Sequence, residues 1–557
     1  MSFLDKINRF AKNAVTINHD RSKFNMSHKI TTTLNSGYLV PLMCDEVLPG
    51  DTIKINLATV CRSITPAVPV MDNAYLDVFA FWCPSRIITC NANDWQKVQG
   101  ENFAGAWAPS TESTLSNTGN TFTIPNSSNA VQAQSLLDYL GIPIGFYHST
   151  ANLSRLPLNG YWEIWNQWFR DENTQTPLQW KTYSNSTCYQ QGALSANLLK
   201  VNKFHDYFTS ALPSPQKGAS VLLPLSGKAI VKTNATAFND LTTNPIKFQT
   251  TTGATPSSFL TGLNSNGELV TASNAGSPSG VVTAVKPSNL YADLSNATQA
   301  SINDLRQGFA IQRLLEKSAR AGSRYRETLF AFFGISIPDN TVQIPEYLGG
   351  KRIPLNMMQV LNTAMGSAST NEPVGKEGAI SNTADISDLF VKSFPEYGYI
   401  YILCCVRPNQ SYCQGISKMW LRDRQYDFYL PVFANLGEQA VRKTELFANS
   451  GSDFTSDSGI FGYQEAWAEY RFKPSKITGY VSKNSSDTIA QRWTYANKFT
   501  AAPTLNSSFM QQDKDQIGNT LAAGTSASYQ YVLDCWVNYT AWREMPYFSV
   551  PGLIDHH

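Results

Sequence analysis

The chain has 557 residues and a formal net charge of +2, so its bulk electrostatics neither announce a nucleic-acid binder nor exclude a local basic site. Hydrophobic residues supply 42% and aromatics 12%, while charged residues supply only 15%, against about 25% in an ordinary soluble domain. The surface is therefore covered largely by neutral Ser, Thr, Asn and Gln, which fits burial of much of it against other subunits, where charge is lost and aromatics are gained.

Residues 1–30 read as an arm. Lys6, Arg9, Lys12, Arg21, Lys23 and Lys29 stand there against Asp5 and Asp20, and little in the segment forms a core. Such an arm crosses a neighbouring subunit, touches phosphates, or simply frays. It lacks the apolar centre of a secretory signal, and no later run reaches the about 18 apolar residues of a membrane helix.

From Thr31 the pattern is β. Ile53, Ile55 and Leu57 alternate with Lys54 and Asn56 after a Pro49-Gly50 turn signal. In "AYLDVFAFWCP" both alternating sets are apolar, which predicts a central strand covered on both faces and ended by Pro84. Residues 101–224 mix short helices with loops. "SLLDYLGIP" reads as a helix stopped by Gly141 and Pro143. Tyr161, Trp165 and Trp168 form an aromatic stripe at helical spacing, read as packing rather than as a sugar platform.

Between Ser226 and Leu290, 32 of 65 residues are Ser, Thr, Asn or Gly and six are charged. That is too polar for a core and too long for an ordinary connection, so the segment reads as a surface insertion with short β-ribbons at most. A helical segment follows over 291–335. Its helix, from about Ser295 to Arg320, carries the stripe Ile302, Leu305, Phe309, Leu314 and Leu315, closes at Gly322, and hands over to a second helix capped by Ser323. Lys317, Arg320, Arg324 and Arg326 cluster at the junction, read as a salt-bridged helix end before a phosphate site.

Residues 390–557 return to strands and loops. "EYGYIYILCCVRP" predicts another strand buried on both faces, with Cys404 and Cys405 pointing to opposite sides. "SYQYVLDCWVNYTAWREMP" predicts one more. Strands so far apart must pair non-locally, as in a Greek-key sandwich or jelly roll with expanded connections.

The chain shows no Walker loop, dinucleotide fingerprint, HExxH or GxSxG. Its six histidines have no metal-ligand spacing, so no metal or cofactor is expected. The nine cysteines contain no CxxC and read as buried free thiols of a reducing compartment. The one candidate acid pair is Glu465 and Glu469, in "FGYQEAWAEYRFKPSKITGYV". A glycosidase needs carboxylates about 5–9.5 Å apart, which this spacing permits. Catalytic carboxylates usually come from different elements, however, and Arg471 and Lys473 stand close enough to neutralise these two.

Five stretches carry a resemblance: "TTLNSGYLVPLMCDEVLPGDTIKINL" (32–57), "MDNAYLDVFAFWCPSR" (71–86), "DYFTSALPSPQKG" (206–218), "PEYLGG" (345–350) and "YQEAWAEYRFKPSKITG" (463–479). In this order they are similar to the major capsid proteins of gokushoviruses, small single-stranded-DNA bacteriophages of the Microviridae. The helical block "SINDLRQGFAIQRLLEKSARAGSRYRETL" resembles the family too. The resemblance implies an eight-stranded antiparallel jelly roll with large inter-strand insertions. It implies a T=1 shell built from pentamers around circular single-stranded DNA, with no catalytic activity. The implied partners are an internal scaffolding protein, a minor capsid or pilot protein, a small DNA-packaging protein and a bacterial surface receptor. By position and composition, Ser226 to Leu290 corresponds to the family's host-facing three-fold protrusion, and residues 107–130 read as another variable loop. Lys6, Arg9, Lys12, Arg21 and Lys23 become candidate DNA contacts. Glu465, Trp467, Glu469, Arg471 and Lys473 become candidate assembly contacts. The competing reading is a carbohydrate-binding or glycan-hydrolysing jelly-roll protein.

Overall fold

The computed structural model describes residues 21–91, 95, 120–124, 127–182, 197–219, 221, 302–363, 374–375, 377–448 and 459–548, with short strands between 230 and 293. The chain divides into two compact units, residues 1–215 with 319–557, and residues 216–318.

The larger unit is mainly β. Its main strands, in chain order, are β1 (Arg21–Asn25), β2 (His28–Leu34), β3 (Val40–Val47), β4 (Thr52–Ser63), β5 (Ala74–Pro84), β6 (Glu346–Pro354), β7 (Met357–Leu361), β8 (Glu377–Ser393), β9 (Gly398–Pro408), β10 (Glu438–Arg442), β11 (Ile460–Glu465) and β12 (Tyr531–Glu544), beside the short strands Thr121–Ile124, His148–Ser154, Ser411–Tyr412 and Ser475–Lys476. One antiparallel sheet has the order β1-β12-β4-β8-β7, with β2 also pairing along β12. The other has the order β6-β5-β9-β3. Among the described residues, strand structure is already present at Arg21, inside the stretch read as an arm, because β1 and β2 run as one interrupted strand beside the long β12.

The two sheets share a core. Ile53, Ile55 and Leu57 of β4 and Leu533, Cys535 and Val537 of β12 pack with Leu76 and Val78 of β5 and Ile402 and Cys404 of β9. Lys54, on the other face of β4, is exposed as the alternation requires. The second face of the β5/β9 sheet is covered as well. Phe81, Tyr399, Tyr401, Leu403 and Cys405 pack there with Tyr161, Trp162 and Trp165. Cys404 and Cys405 thus enter different cores, as their adjacency predicts. Tyr161 and Trp162 belong to α1 (Leu156–Ile164), which a π-turn extends through Trp165–Phe169. The indole N–H of Trp165 donates to Lys200 O at 2.9 Å and that of Trp168 to Pro345 O at 2.9 Å, so the stripe is structural packing. Gly160 lets α1 approach the sheet, since a Cβ there would lie 2.2 Å from the Tyr401 hydroxyl.

Strand structure resumes at Glu346 rather than after 390, with β6, β7 and most of β8. Ser381, Thr383 and Ser387 are buried on it while Ile380, Ile386 and Val391 are exposed, so its polarity runs opposite to the usual signal. Thr383 Oγ1 accepts from Asn356 N at 2.8 Å and Ser387 Oγ donates to Asp385 at 2.7 Å, which offsets burial of the hydroxyls.

In the smaller unit the described strands are short ribbons. Leu290–Asp293 and Thr236–Ala237 flank Ile230–Thr233, and Phe248–Thr250, Thr283–Pro287, Leu269–Thr271 and Leu260–Leu263 form a four-stranded sheet in that order. The helix α2 (Ile302–Ala321) ends at Gly322, whose φ is +87°. In α3 (Tyr325–Phe333) the N-cap is Arg324, not Ser323. Ser323 N instead donates to Glu172 at 2.9 Å, and Glu327 accepts from Arg324 N at 3.3 Å to close the helix start.

Candidate assembly surface

The segment around Glu465 is built on the hairpin-like pair β10/β11, whose register sets Glu438 directly opposite Glu465. Facing carboxylates repel, and two cations resolve the conflict. Arg320 bonds Glu438 and reaches Glu465 at 3.4 Å, while Arg471 meets Glu465 at 2.9 Å. After β11 the chain turns through Trp467 at φ 65°, a strained conformation for a bulky side chain. Neighbours hold it there. Trp467 N donates to the Gln439 side chain at 3.3 Å, and the indole N–H donates to Phe433 O at 3.0 Å.

The turn carries Glu469 into a different ion network. Arg422 bonds it at 2.9 Å and Lys418 lies 3.9 Å away. The two glutamates therefore enter separate networks within one chain. The Arg471 partnership of Glu465 was legible locally, but Lys418 and Arg422 were not, since 47 positions separate Arg422 from Glu469. Lys473 is exposed and lines a cleft of about 550 Å³ with Tyr207, Met419, Tyr470, Phe472 and Glu445. Burial pushes the Glu445 carboxyl up, opposed by nearby Lys418 and by the Arg442 backbone N–H.

Above this scaffold lies an aromatic apron. Residues 418–436 run through successive 3-10 turns, which leave Trp420 73%, Tyr426 72% and Val432 88% exposed. Phe428, Tyr470 and Phe472 are exposed beside them in sequence or contact. The Arg422 guanidinium lies 4.4 Å from the Tyr470 ring centroid, and Tyr429 meets Trp467 edge-on at 5.7 Å. Monomeric proteins rarely leave so much large apolar area in water. The apron was missed in the sequence because it has no period, although its density of aromatics between two strand regions was the available signal.

Among the other singled-out residues, Arg324 pairs with Glu172 and Glu327, and Arg326 with Asp339, so these junction arginines form the salt-bridged helix end expected of them. Lys6, Arg9 and Lys12 lie outside the described residues. Arg21 is in β1, where it bonds Gly50 O, Thr52 Oγ1 and Trp542 O, and Lys23 lies 5.8 Å from the Trp542 ring. Within Ser226 to Leu290 the short strands are described and most of the intervening residues are not. A further polar centre escaped the sequence reading. Asp77 of β5, 2% exposed, binds both Arg352 and Arg407, and each guanidinium lies 4.3 Å from the Phe204 ring. Among the described residues no group of three or more His, Cys, Asp or Glu is placed to hold a metal ion.

The sequence profile of the capsid protein (F protein) family matches residues 13–553. "Capsid protein VP1" of Bdellovibrio phage phiMH2K is 36% identical over 547 residues, covering 96% of each chain. "Capsid protein VP1" of Chlamydia phage 1 is 33% identical over 601 residues, covering 98% of each. That of Spiroplasma virus 4 is 34% identical over 545 residues, covering 96% of this chain and 95% of its own.

Proposed function

The chain belongs to the capsid protein (F protein) family, and we propose from that premise that it assembles through pentamers into a T=1 icosahedral shell around circular single-stranded DNA. Its role is structural and its place is the virion. The observation that carries the assembly reading is the exposed aromatic apron over residues 418–436, a surface that a closed shell would bury. Glu465, Arg471 and Lys473 lie at the surface beside it and are proposed to meet the neighbouring subunit. Trp467 and Glu469 hold the apron from beneath.

The strand orders β1/β2-β12-β4-β8 and β6-β5-β9-β3 support an eight-stranded jelly roll, because the chain passes back and forth between the two layers except from β5 to β6, which pair within one sheet. The remaining roles are proposed on the gokushovirus resemblance. An internal scaffolding protein guides assembly, and a pilot protein and a DNA-packaging protein complete the particle. Ser226 to Leu290 meets the host receptor, and Lys6, Arg9, Lys12, Arg21 and Lys23 contact DNA.

Negative-stain microscopy and sedimentation of the chain expressed with its scaffolding partner test the reading. Uniform spherical particles or pentamers are expected. A stable monomer under those conditions that binds or hydrolyses glycans would overturn it. Changing Lys6, Arg9 and Lys12 together to Ala should weaken DNA packaging, and unchanged full-length packaging removes the arm from the DNA contact.

A further inference from the structure

Lys203 follows the buried Val201 and is itself only 6% exposed. Its backbone N–H donates to Met510 O at 2.9 Å, which draws the side chain across the Phe509 ring, 4.6 Å from its centroid. Among the described residues no carboxylate, carbonyl or hydroxyl bonds its ammonium. Lys483 shows the contrast, being equally deep but donating to the carbonyls of Gln491 and Thr494. The Lys203 Nζ is not wholly enclosed, unlike the unpartnered Arg422 Nε and Asp51 Oδ1, so the ammonium of this otherwise buried side chain opens onto solvent.

Lys203 lines a cavity of about 490 Å³ with Asn497, Lys498, Phe509, Asp513 and Asp515. That volume lies within the about 300–1,000 Å³ typical of ligand sites. The floor is buried, with Lys203, Asn497 and Phe509 below, while Lys498 and Asp513 are exposed at the rim. An anion on the floor gives the ammonium a direct partner, where Asp206 and Asp513 act on it without a bond. The two rim aspartates disfavour a doubly charged anion such as phosphate and leave a singly charged one acceptable.

We propose that this cavity binds a ligand carrying one carboxylate, seated on the Lys203 ammonium. The carboxylate belongs either to a free small acid or to an acidic side chain of a peptide. The site is independent of the apron and of the capsid reading. Burial lowers the Lys203 pKa to about 8, against the opposing pull of Asp206 and Asp513. Binding therefore weakens as pH rises through about 8, since only the protonated amine attracts the carboxylate. Asp206, Asp513, Asp515 and Lys498 are the charged groups that face it.

Calorimetry on the full chain tests the site with N-acetylglycine as the free acid and a terminally blocked peptide with one internal glutamate as the peptide-borne source. N-acetylglycinamide and inorganic phosphate are the controls. At least one carboxylate probe is expected to bind saturably, the amide not at all, and phosphate about tenfold more weakly, a difference of about 1.4 kcal/mol. Binding by the peptide alone assigns the carboxylate to a protein partner, and binding by both admits a free acid. Lys203→Met should abolish binding while keeping or raising the thermal midpoint. In the unaltered chain, the bound probe should protect Lys203 from reductive methylation followed by mass spectrometry, a readout independent of any variant's folding. Absence of saturable carboxylate binding, retention of it in Lys203→Met, or equal affinity for phosphate overturns the proposal.

Discussion

At Glu469 the side chain is 15% exposed and its partner Arg422 only 10%. Removing the carboxylate strands a guanidinium that water reaches poorly. Glu469→Ala is therefore expected to cost the isolated subunit about 3 kcal/mol, the lower end for a broken buried pair, measured by urea denaturation. Glu465, 41% exposed, is a surface pair, and Glu465→Ala should cost under about 1 kcal/mol in the same assay. A second residue-scale prediction concerns pH. The Lys203 pKa is depressed in the folded chain, to about 8 from the ordinary 10.5. Between those values the unfolded chain holds the proton and the folded one does not. Stability contributed by Lys203 therefore rises from pH 8 to 10.5, by up to about 3 kcal/mol. Lys483 is depressed in the same direction, so the test is the difference between the unaltered chain and Lys203→Met, which should flatten that part of the pH profile.

Among the elements, β5 and β9 were legible because each carries apolar residues on both alternating faces, the signature of a strand with cover above and below. β8 was not. Its buried Ser381, Thr383 and Ser387 and exposed Ile380, Ile386 and Val391 invert the pattern by which strands are read. Its pairing, along β4 from Ser393 to Asn382 and along β7 from Ser381 to Glu377, identifies it. The contact of α1 with β9 is similarly invisible locally. Gly160 in a helix reads as a weak point, yet it is where the Tyr401 ring fits and its hydroxyl donates to Pro157 O at 2.9 Å. Gly160→Ala should gain helix propensity of about 1 kcal/mol and still destabilise the subunit by about 1–2 kcal/mol net through overpacking. A lowered thermal midpoint checks this.

For the whole molecule, low charge and high aromatic content translate into the apron of residues 418–436. Trp420→Asp with Val432→Asp changes side chains that are 73% and 88% exposed. Subunit stability should shift by no more than about 0.5 kcal/mol, while sedimentation should show loss of particles or pentamers. Intact particles from this double variant would place the subunit contact elsewhere. The enzyme alternative weakens at this scale too, because Glu465 and Glu469 are drawn into separate ion networks rather than into one cleft.

The β character, the doubly covered strands, the opposed faces of Cys404 and Cys405, the packing role of the Trp165 stripe and the capsid kinship carried by long motifs were all readable from the amino-acid order. All of these are written in neighbouring residues, through alternation, helical spacing or contiguous identity. The three-dimensional packing alone sets which cation holds which carboxylate, why Asp77 can be buried, and that Lys203 has no bonded acceptor among the described residues. Arg320 reaches Glu465 across 145 positions and Arg407 reaches Asp77 across 330. Local periodicity reports whether a side chain is buried. Electrostatic partnership depends on which distant strands and turns the fold brings within a few ångströms, and no local pattern encodes that.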